Sequence, residues 1–184
     1  MWKWIKPYWN QLMGEQESAG IQHCTPYHSA DENPLHSPQY RHVAHSKELI
    51  PNLKNDHQEL FNIYSEIFNV IESQPLETIH PILQRLKARF DLHFTQENNA
   101  LYVYLKQHFA DQPARLDLIQ QHQKEMYEMS LTINKFIRTW QDQHIDEFNL
   151  LEFSQEYKFI GQIIMQQMTR EENHLYVLYP PYLT

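Results

Sequence analysis

Residues 83–104 read LQRLKARFDLHFTQENNALYVY, and this stretch decides the fold. Its core positions recur at alternating steps of three and four, which is the spacing of a helix face that packs against other helices. This seam consists of Leu83, Leu86, Phe90, His93, Glu97, Ala100 and Tyr104. Two polar residues, His93 and Glu97, interrupt the apolar seam, and their separation of four residues places both on one helix face.

Three further stretches repeat this pattern, so the chain is predicted to form four long helices. Their predicted ranges are 47–71, 76–108, 114–140 and 147–179. The breaks between them are short, and prolines lie at or beside several of the helix ends. The sequence therefore predicts an all-α, up-down-up-down four-helix bundle. The presence of only 3 glycines in 184 residues argues against an all-β fold.

Polar residues interrupt all four predicted seams at positions that lie toward the same end of an up-down bundle. They are His57, His93, Glu97, His122, Gln167, Glu171 and His174. A buried polar group without a partner costs roughly 1–3 kcal/mol, and a buried charge costs more. Imidazoles and carboxylates that converge from facing helices are the ligands that iron and zinc use. We therefore expect a metal site in this layer, and a metal-free polar layer that fixes the helix register is the alternative.

The first 44 residues differ from the rest of the chain. Trp2, Trp4 and Trp9 precede a polar stretch that contains prolines and has no helical period. We expect residues 1–44 to form a Trp-containing N-terminal arm and polar linker, and residues 45–184 to form the bundle. The tryptophans are suited to a membrane surface, to the domain itself, to a protein partner or to a second copy of the chain.

Composition excludes several classes of function. The net charge is −8 and no basic stripe is present, so nucleic-acid binding is not expected. The single cysteine, Cys24, excludes an internal disulfide framework. No apolar run approaches the roughly 20 residues of a membrane span, and no signal-peptide core is present, which predicts a cytoplasmic protein.

Four short segments carry a resemblance to a known family. They are LKNDHQELF at 53–61, HFTQENNALY at 93–102, QHQKEM at 121–126 and TREENHLY at 169–176. In order and helix placement they resemble the hemerythrin-like (HHE cation-binding) family over about residues 47–179. The resemblance implies a non-haem di-iron centre, in which His93 and His122 serve one iron and His57 and a fourth-helix histidine serve the other. It also implies that Glu97 and Glu171 bridge the two irons.

The sequence departs from the family pattern at two positions. Gln167 stands where the fourth-helix histidine is expected, and Leu118 replaces the second third-helix histidine of oxygen-carrying members. His174 is a candidate substitute for the missing histidine. The resemblance therefore implies one or two irons and a protein that senses, binds or scavenges O2, NO or iron.

Two rival functions stay open. One is a metal-free bundle that acts as a protein-interaction module. The other is a di-iron repair enzyme, which Gln167 disfavours because such chemistry needs two irons in close partnership. We therefore favour a protein that is not an enzyme.

Overall fold

The structure is a computed structural model, and it describes residues 43–73 and 75–179. The described residues form four long helices, which confirms the predicted all-α bundle. Their segments are α1 (Leu49–Ser73), α2 (Ile79–Gln96), a first π-helical turn (Glu97–Leu101), α3 (Tyr102–His108), α4 (Pro113–Gln141), α5 (Leu150–Arg170) and a second π-helical turn (Glu171–Leu175). Short 3-10 turns precede α2 (Leu76–Thr78) and follow the second π turn (Tyr176–Leu178).

The last long helix begins at Leu150, three residues later than the predicted start at residue 147. The side chain of Asp146 accepts hydrogen bonds from the backbone N–H groups of Phe148 and Asn149, at 2.9 and 3.3 Å. The Asp146 carbonyl also accepts a hydrogen bond from the N–H of Leu150, at 2.9 Å. These contacts cap the turn at residues 147–149 that leads into α5.

Neighbouring helices pack through their apolar seams, and two tyrosines join the first helix to the last. The Tyr157 hydroxyl donates to the Tyr64 carbonyl at 2.7 Å, and the Tyr64 hydroxyl donates to the Tyr157 carbonyl at 3.3 Å. A Cβ atom at Gly161 would lie 2.0 Å from the Tyr64 hydroxyl oxygen. Glycine therefore fits position 161 best, because a Cβ atom there would force the Tyr64 ring to move.

The two π turns shift the seam that the sequence predicts. The N–H of Tyr102 bonds to the carbonyl of Glu97, and that of Tyr176 to the carbonyl of Glu171, so each turn holds one residue more than an α-helical turn. The predicted seam position His174 was wrong, and the predicted positions Ala100 and Tyr104 pack against the core without being fully buried. Ala100 and Tyr104 are only half-buried, and His174 is exposed. The structure instead buries their neighbours Leu101, Tyr102, Leu105, Leu175 and Tyr176.

An apolar cluster closes the end of the bundle at which the polar layer was predicted. This end cluster comprises Leu49, Leu53, Leu101, Tyr102, Leu105, Phe109, Ile119, Leu175, Tyr176 and Tyr179. The polar layer therefore lies between the end cluster and the remaining core of the bundle. Its side chains are shielded from water on both sides.

The predicted Trp-containing segment lies outside the described residues, apart from its last two positions, 43 and 44. At that point the N–H of Val43 donates to the side chain of Gln107, at 3.1 Å. No helix within 43–73 or 75–179 combines the length and the apolar character needed to cross a bilayer. The domain boundary at residue 44 and the cytoplasmic location stay predictions.

Candidate metal centre

Four buried side chains from three helices meet in the polar layer. His57 comes from α1, His93 from α2, and Glu97 and Glu171 begin the first and second π turns. Each of the four residues is at most 2% exposed. One potential ligand atom from each of them lies within 4.8 Å of every other. The structure therefore brings four of the six predicted site residues into one group.

The His57 ring is held with its two nitrogens in different surroundings. Its Nδ1 lies 2.9 Å from Oε1 of Glu172, which is itself 15% exposed at the side chain. Its Nε2 points into the layer and lies 3.2 Å from Nε2 of His93 and 3.3 Å from Oε2 of Glu171. A carboxylate behind one ring nitrogen is the usual partner of a metal-binding histidine, because it fixes the tautomer and the ring orientation.

The His93 ring has a comparable arrangement. Its Nδ1 lies 3.7 Å from Oδ2 of the buried Asp56, and Arg89 pairs with that aspartate. Its Nε2 faces the layer and lies 3.8 Å from Oε2 of Glu97. Both histidines thus present Nε2 to the centre and Nδ1 to a carboxylate.

Each of the two glutamates accepts a hydrogen bond from a different neighbour. The Tyr176 hydroxyl donates to Oε1 of Glu97 at 2.8 Å, and the Gln167 amide donates to Oε1 of Glu171 at 2.7 Å. Burial, above all, raises the pKa of each carboxyl to about 7. The negative charge of Glu171 raises the pKa of Glu97 further. The charge of His93 acts in the opposite direction and lowers the pKa of both glutamates. Both carboxylates are therefore costly to ionise without a nearby positive charge.

The group fits a metal cation. Across 43–73 and 75–179, the buried polar side chains include no lysine or arginine, so no buried fixed cation neutralises the glutamates. Oε2 of Glu97, a buried oxygen of the group, has no hydrogen-bond partner. Imidazole nitrogen together with carboxylate oxygen is a donor set that suits iron, zinc or manganese.

Comparison with known families agrees with this geometry. The family model described as the hemerythrin HHE cation-binding domain matches residues 48–179. The chain belongs to this hemerythrin family. The resemblance stated from the four sequence segments is thereby confirmed. No curated protein and no solved structure matches the chain.

The hemerythrin pattern contains two further positions, and both lie in the layer but outside the four-residue group. His122 is 1% exposed, and its Nδ1 has no hydrogen-bond partner. Burial lowers the pKa of His122, and the charge of Arg170 lowers it further. Gln167 is buried and turns its amide nitrogen toward Glu171. His174, considered as a substitute ligand, is exposed.

The seam pattern did not single out several side chains that support the hemerythrin-type site. Asp56 directly precedes the seam residue His57, and its carboxylate faces Nδ1 of His93. Glu172 directly follows the seam residue Glu171, and its carboxylate contacts Nδ1 of His57. Tyr102 and Tyr176 occupy matching positions, five residues after the two glutamates. The repeated pattern Glu-x-Asn-x-Leu-Tyr at 97–102 and 171–176 was the signal that could have identified both tyrosines.

Proposed function

We propose that this domain binds non-haem iron through His57, His93, Glu97 and Glu171 and exposes it to a small diatomic ligand, O2 or NO. The protein would then sense, bind or scavenge that ligand, or hold the iron itself. The observation that carries the proposal is the convergence of two imidazoles and two carboxylates in a buried layer, in a chain of a cation-binding family.

The chemistry of the donors supports iron. Non-haem iron is commonly held by two histidines with carboxylate oxygens, and such sites keep coordination positions open for small ligands. Four protein donors leave room on a six-coordinate ion. Bound iron would supply reversible coordination of the diatomic ligand.

Neighbouring side chains contact the proposed ligands, and the end cluster covers the layer. Glu172 holds the His57 ring through Nδ1 so that Nε2 faces the centre, and Asp56 lies 3.7 Å from Nδ1 of His93. Tyr176 donates to one carboxylate oxygen of Glu97 and leaves the other free. The end cluster keeps the layer dry, which strengthens electrostatic interactions between the carboxylates and a cation.

Metal analysis of the purified protein tests the proposal. Protein prepared without chelator is analysed for metals. Protein from which metal has been removed with a chelator (chelated protein) is titrated anaerobically with Fe²⁺. We expect stoichiometric iron, a near-ultraviolet absorption band after oxidation, and a change in the visible spectrum when NO is added to the ferrous protein. Glu97→Gln should lose the iron, whereas the matched exposed change Glu66→Gln should keep it. A folded protein that takes up no iron would refute the proposal.

The alternative is a metal-free bundle that acts through its surface. The hydrogen bond from Gln167 to Glu171, at 2.7 Å, favours it because the layer satisfies part of its own polar groups. Phe148, Leu151 and Phe159 are 97%, 71% and 56% exposed and offer an apolar surface around the start of α5. Equal melting temperatures with chelator and with Fe²⁺ would favour this alternative.

A further inference from the structure

We propose that the four-residue group holds a single metal ion, with His57 and His93 as ligands of the same ion. This inference rests on the proposed metal-binding function. It differs from the two-ion arrangement that the family resemblance implies, in which these two histidines serve different irons.

The size of the group carries the proposal. Metal bonds to histidine nitrogen and carboxylate oxygen are roughly 2.0–2.2 Å long, so opposite ligand atoms of one ion lie about 4 Å apart. Two ions in a shared site are about 3.5–4 Å apart, so ligand atoms at opposite ends of such a site are roughly 7–8 Å apart. One ligand atom from each of His57, His93, Glu97 and Glu171 lies within 4.8 Å of the chosen atoms of the other three. This span matches one ion.

The contact between the two histidines points the same way. Nε2 of His57 and Nε2 of His93 are 3.2 Å apart. Neighbouring ligand atoms on one ion are about 3 Å apart, because bonds of about 2.1 Å meet at roughly a right angle in an octahedral site. Glu172 orients the His57 ring through a contact of 2.9 Å, whereas Nδ1 of His93 has no hydrogen-bond partner and lies 3.7 Å from Asp56. The two facing ring nitrogens therefore lie within reach of one ion.

Among residues 43–73 and 75–179, the other side of the layer offers no second group of this kind. Gln167 donates its amide N–H to Oε1 of Glu171, which uses the carboxylate oxygen that a bridging glutamate would give to a second ion. His122 is not part of the group.

Stoichiometry and spin state test the proposal without any substitution. Chelated full-length protein is titrated anaerobically with Fe²⁺, and bound iron is measured after gel filtration and after oxidation. We expect one iron per chain and the half-integer-spin EPR signal of an isolated ferric ion. Two irons per chain with a coupled, EPR-silent ferric state would overturn the single-ion inference and leave the proposed function standing. No bound iron would overturn both.

Substitutions give an independent test. If His57 and His93 share one ion, His57→Ala and His93→Ala should each weaken Fe²⁺ binding at least as much as the roughly 10–100-fold loss typical of a missing orienting partner. His122→Ala should leave one iron bound. Gln167→His should add a ligand and allow a second iron. If His57→Ala and His93→Ala each retain one of two irons, the histidines serve different ions and the inference is wrong.

Discussion

Glu97→Gln is predicted to change the stability of this domain in opposite directions with and without metal. Glu97 is fully buried, and its Oε2 has no hydrogen-bond partner. In the chelated protein, the native state must hold this carboxyl either protonated or as an unneutralised buried charge. An amide has the same shape and no charge, and it keeps the Oε1 atom that accepts the Tyr176 hydrogen bond. The substitution should therefore stabilise the metal-free protein above neutral pH.

The pKa of Glu97 sets the size of the effect. Burial raises this pKa from 4.5 to about 7 in the folded protein. Between these values the native state binds the proton more tightly than the unfolded chain does, so the free energy of unfolding falls as the pH rises. Each unit of difference corresponds to about 1.4 kcal/mol, which gives roughly 3 kcal/mol at most above pH 7. The new amide N–H lacks an acceptor, which costs about 1 kcal/mol at every pH.

Urea unfolding of chelated protein at about pH 5 and pH 8 measures this effect. We expect Glu97→Gln to lower the free energy of unfolding slightly at the lower pH and to raise it by roughly 1–2 kcal/mol at the higher pH. With Fe²⁺ present the order should reverse, because only the wild-type protein gains the stabilisation that comes from bound metal.

The pH dependence of this difference decides the matter. If the amide changes the stability of the chelated protein equally at both pH values, burial does not control the ionisation of Glu97. If Fe²⁺ stabilises Glu97→Gln as much as the wild-type protein, Glu97 is not a ligand.

Three further substitutions test other features. Gly161→Ala should lower the free energy of unfolding by roughly 1–3 kcal/mol, although alanine favours helices, because its Cβ would collide with the Tyr64 ring; urea unfolding measures this. Glu172→Gln should weaken Fe²⁺ binding roughly 10–100-fold while the fold persists, because Nδ1 of His57 loses its charged partner; chelator competition measures this. Tyr176→Phe should destabilise the metal-free protein by about 1–3 kcal/mol, because a buried carboxylate loses its donor; thermal unfolding measures this.

Matched controls separate these effects from general damage. Tyr64→Leu combined with Gly161→Ala should recover part of the lost stability. If the stability losses of the two single substitutions simply add, a collision between the Cβ at position 161 and the Tyr64 ring is contradicted. Glu66→Gln removes an exposed carboxylate of α1 that pairs with Arg85 and should leave Fe²⁺ affinity unchanged. Tyr127→Phe changes a tyrosine that is 56% exposed and should be neutral. If Tyr127→Phe lowered the stability as much as Tyr176→Phe does, the effect of Tyr176→Phe could not be assigned to the lost hydrogen bond to Glu97.

Helical periodicity was sufficient to predict the bundle and the height of the polar layer. The seam around Leu53, His57 and Leu60 repeats every three or four residues, and all three side chains are buried. Periodicity failed after Glu97 and Glu171, because it assumes a constant number of residues per turn. The extra residue in each π turn rotates the following segment, so the structure buries Tyr102 and Tyr176.

The supporting partners could not be read from a seam at all. Asp56 and Glu172 lie beside seam residues in the chain, and on a helical wheel they point away from the centre of the core face. Their contact with a histidine ring depends on the spacing between two helices, which the pattern of one helix does not contain. Gln167 was predicted from its seam position, but the direction of its amide required the structure.

The paired π turns also absorb one residue of chain length at two places in this domain. Removing one residue from 98–100 would leave an ordinary α-helical turn, and Tyr102 and Leu105, each moved one place along the chain, would still lie on the core face. The same holds for Asn173 or His174 in the second turn. A second deletion at either place finds no extra residue to remove, so it would rotate the following segment by about 100° and take these side chains out of the end cluster.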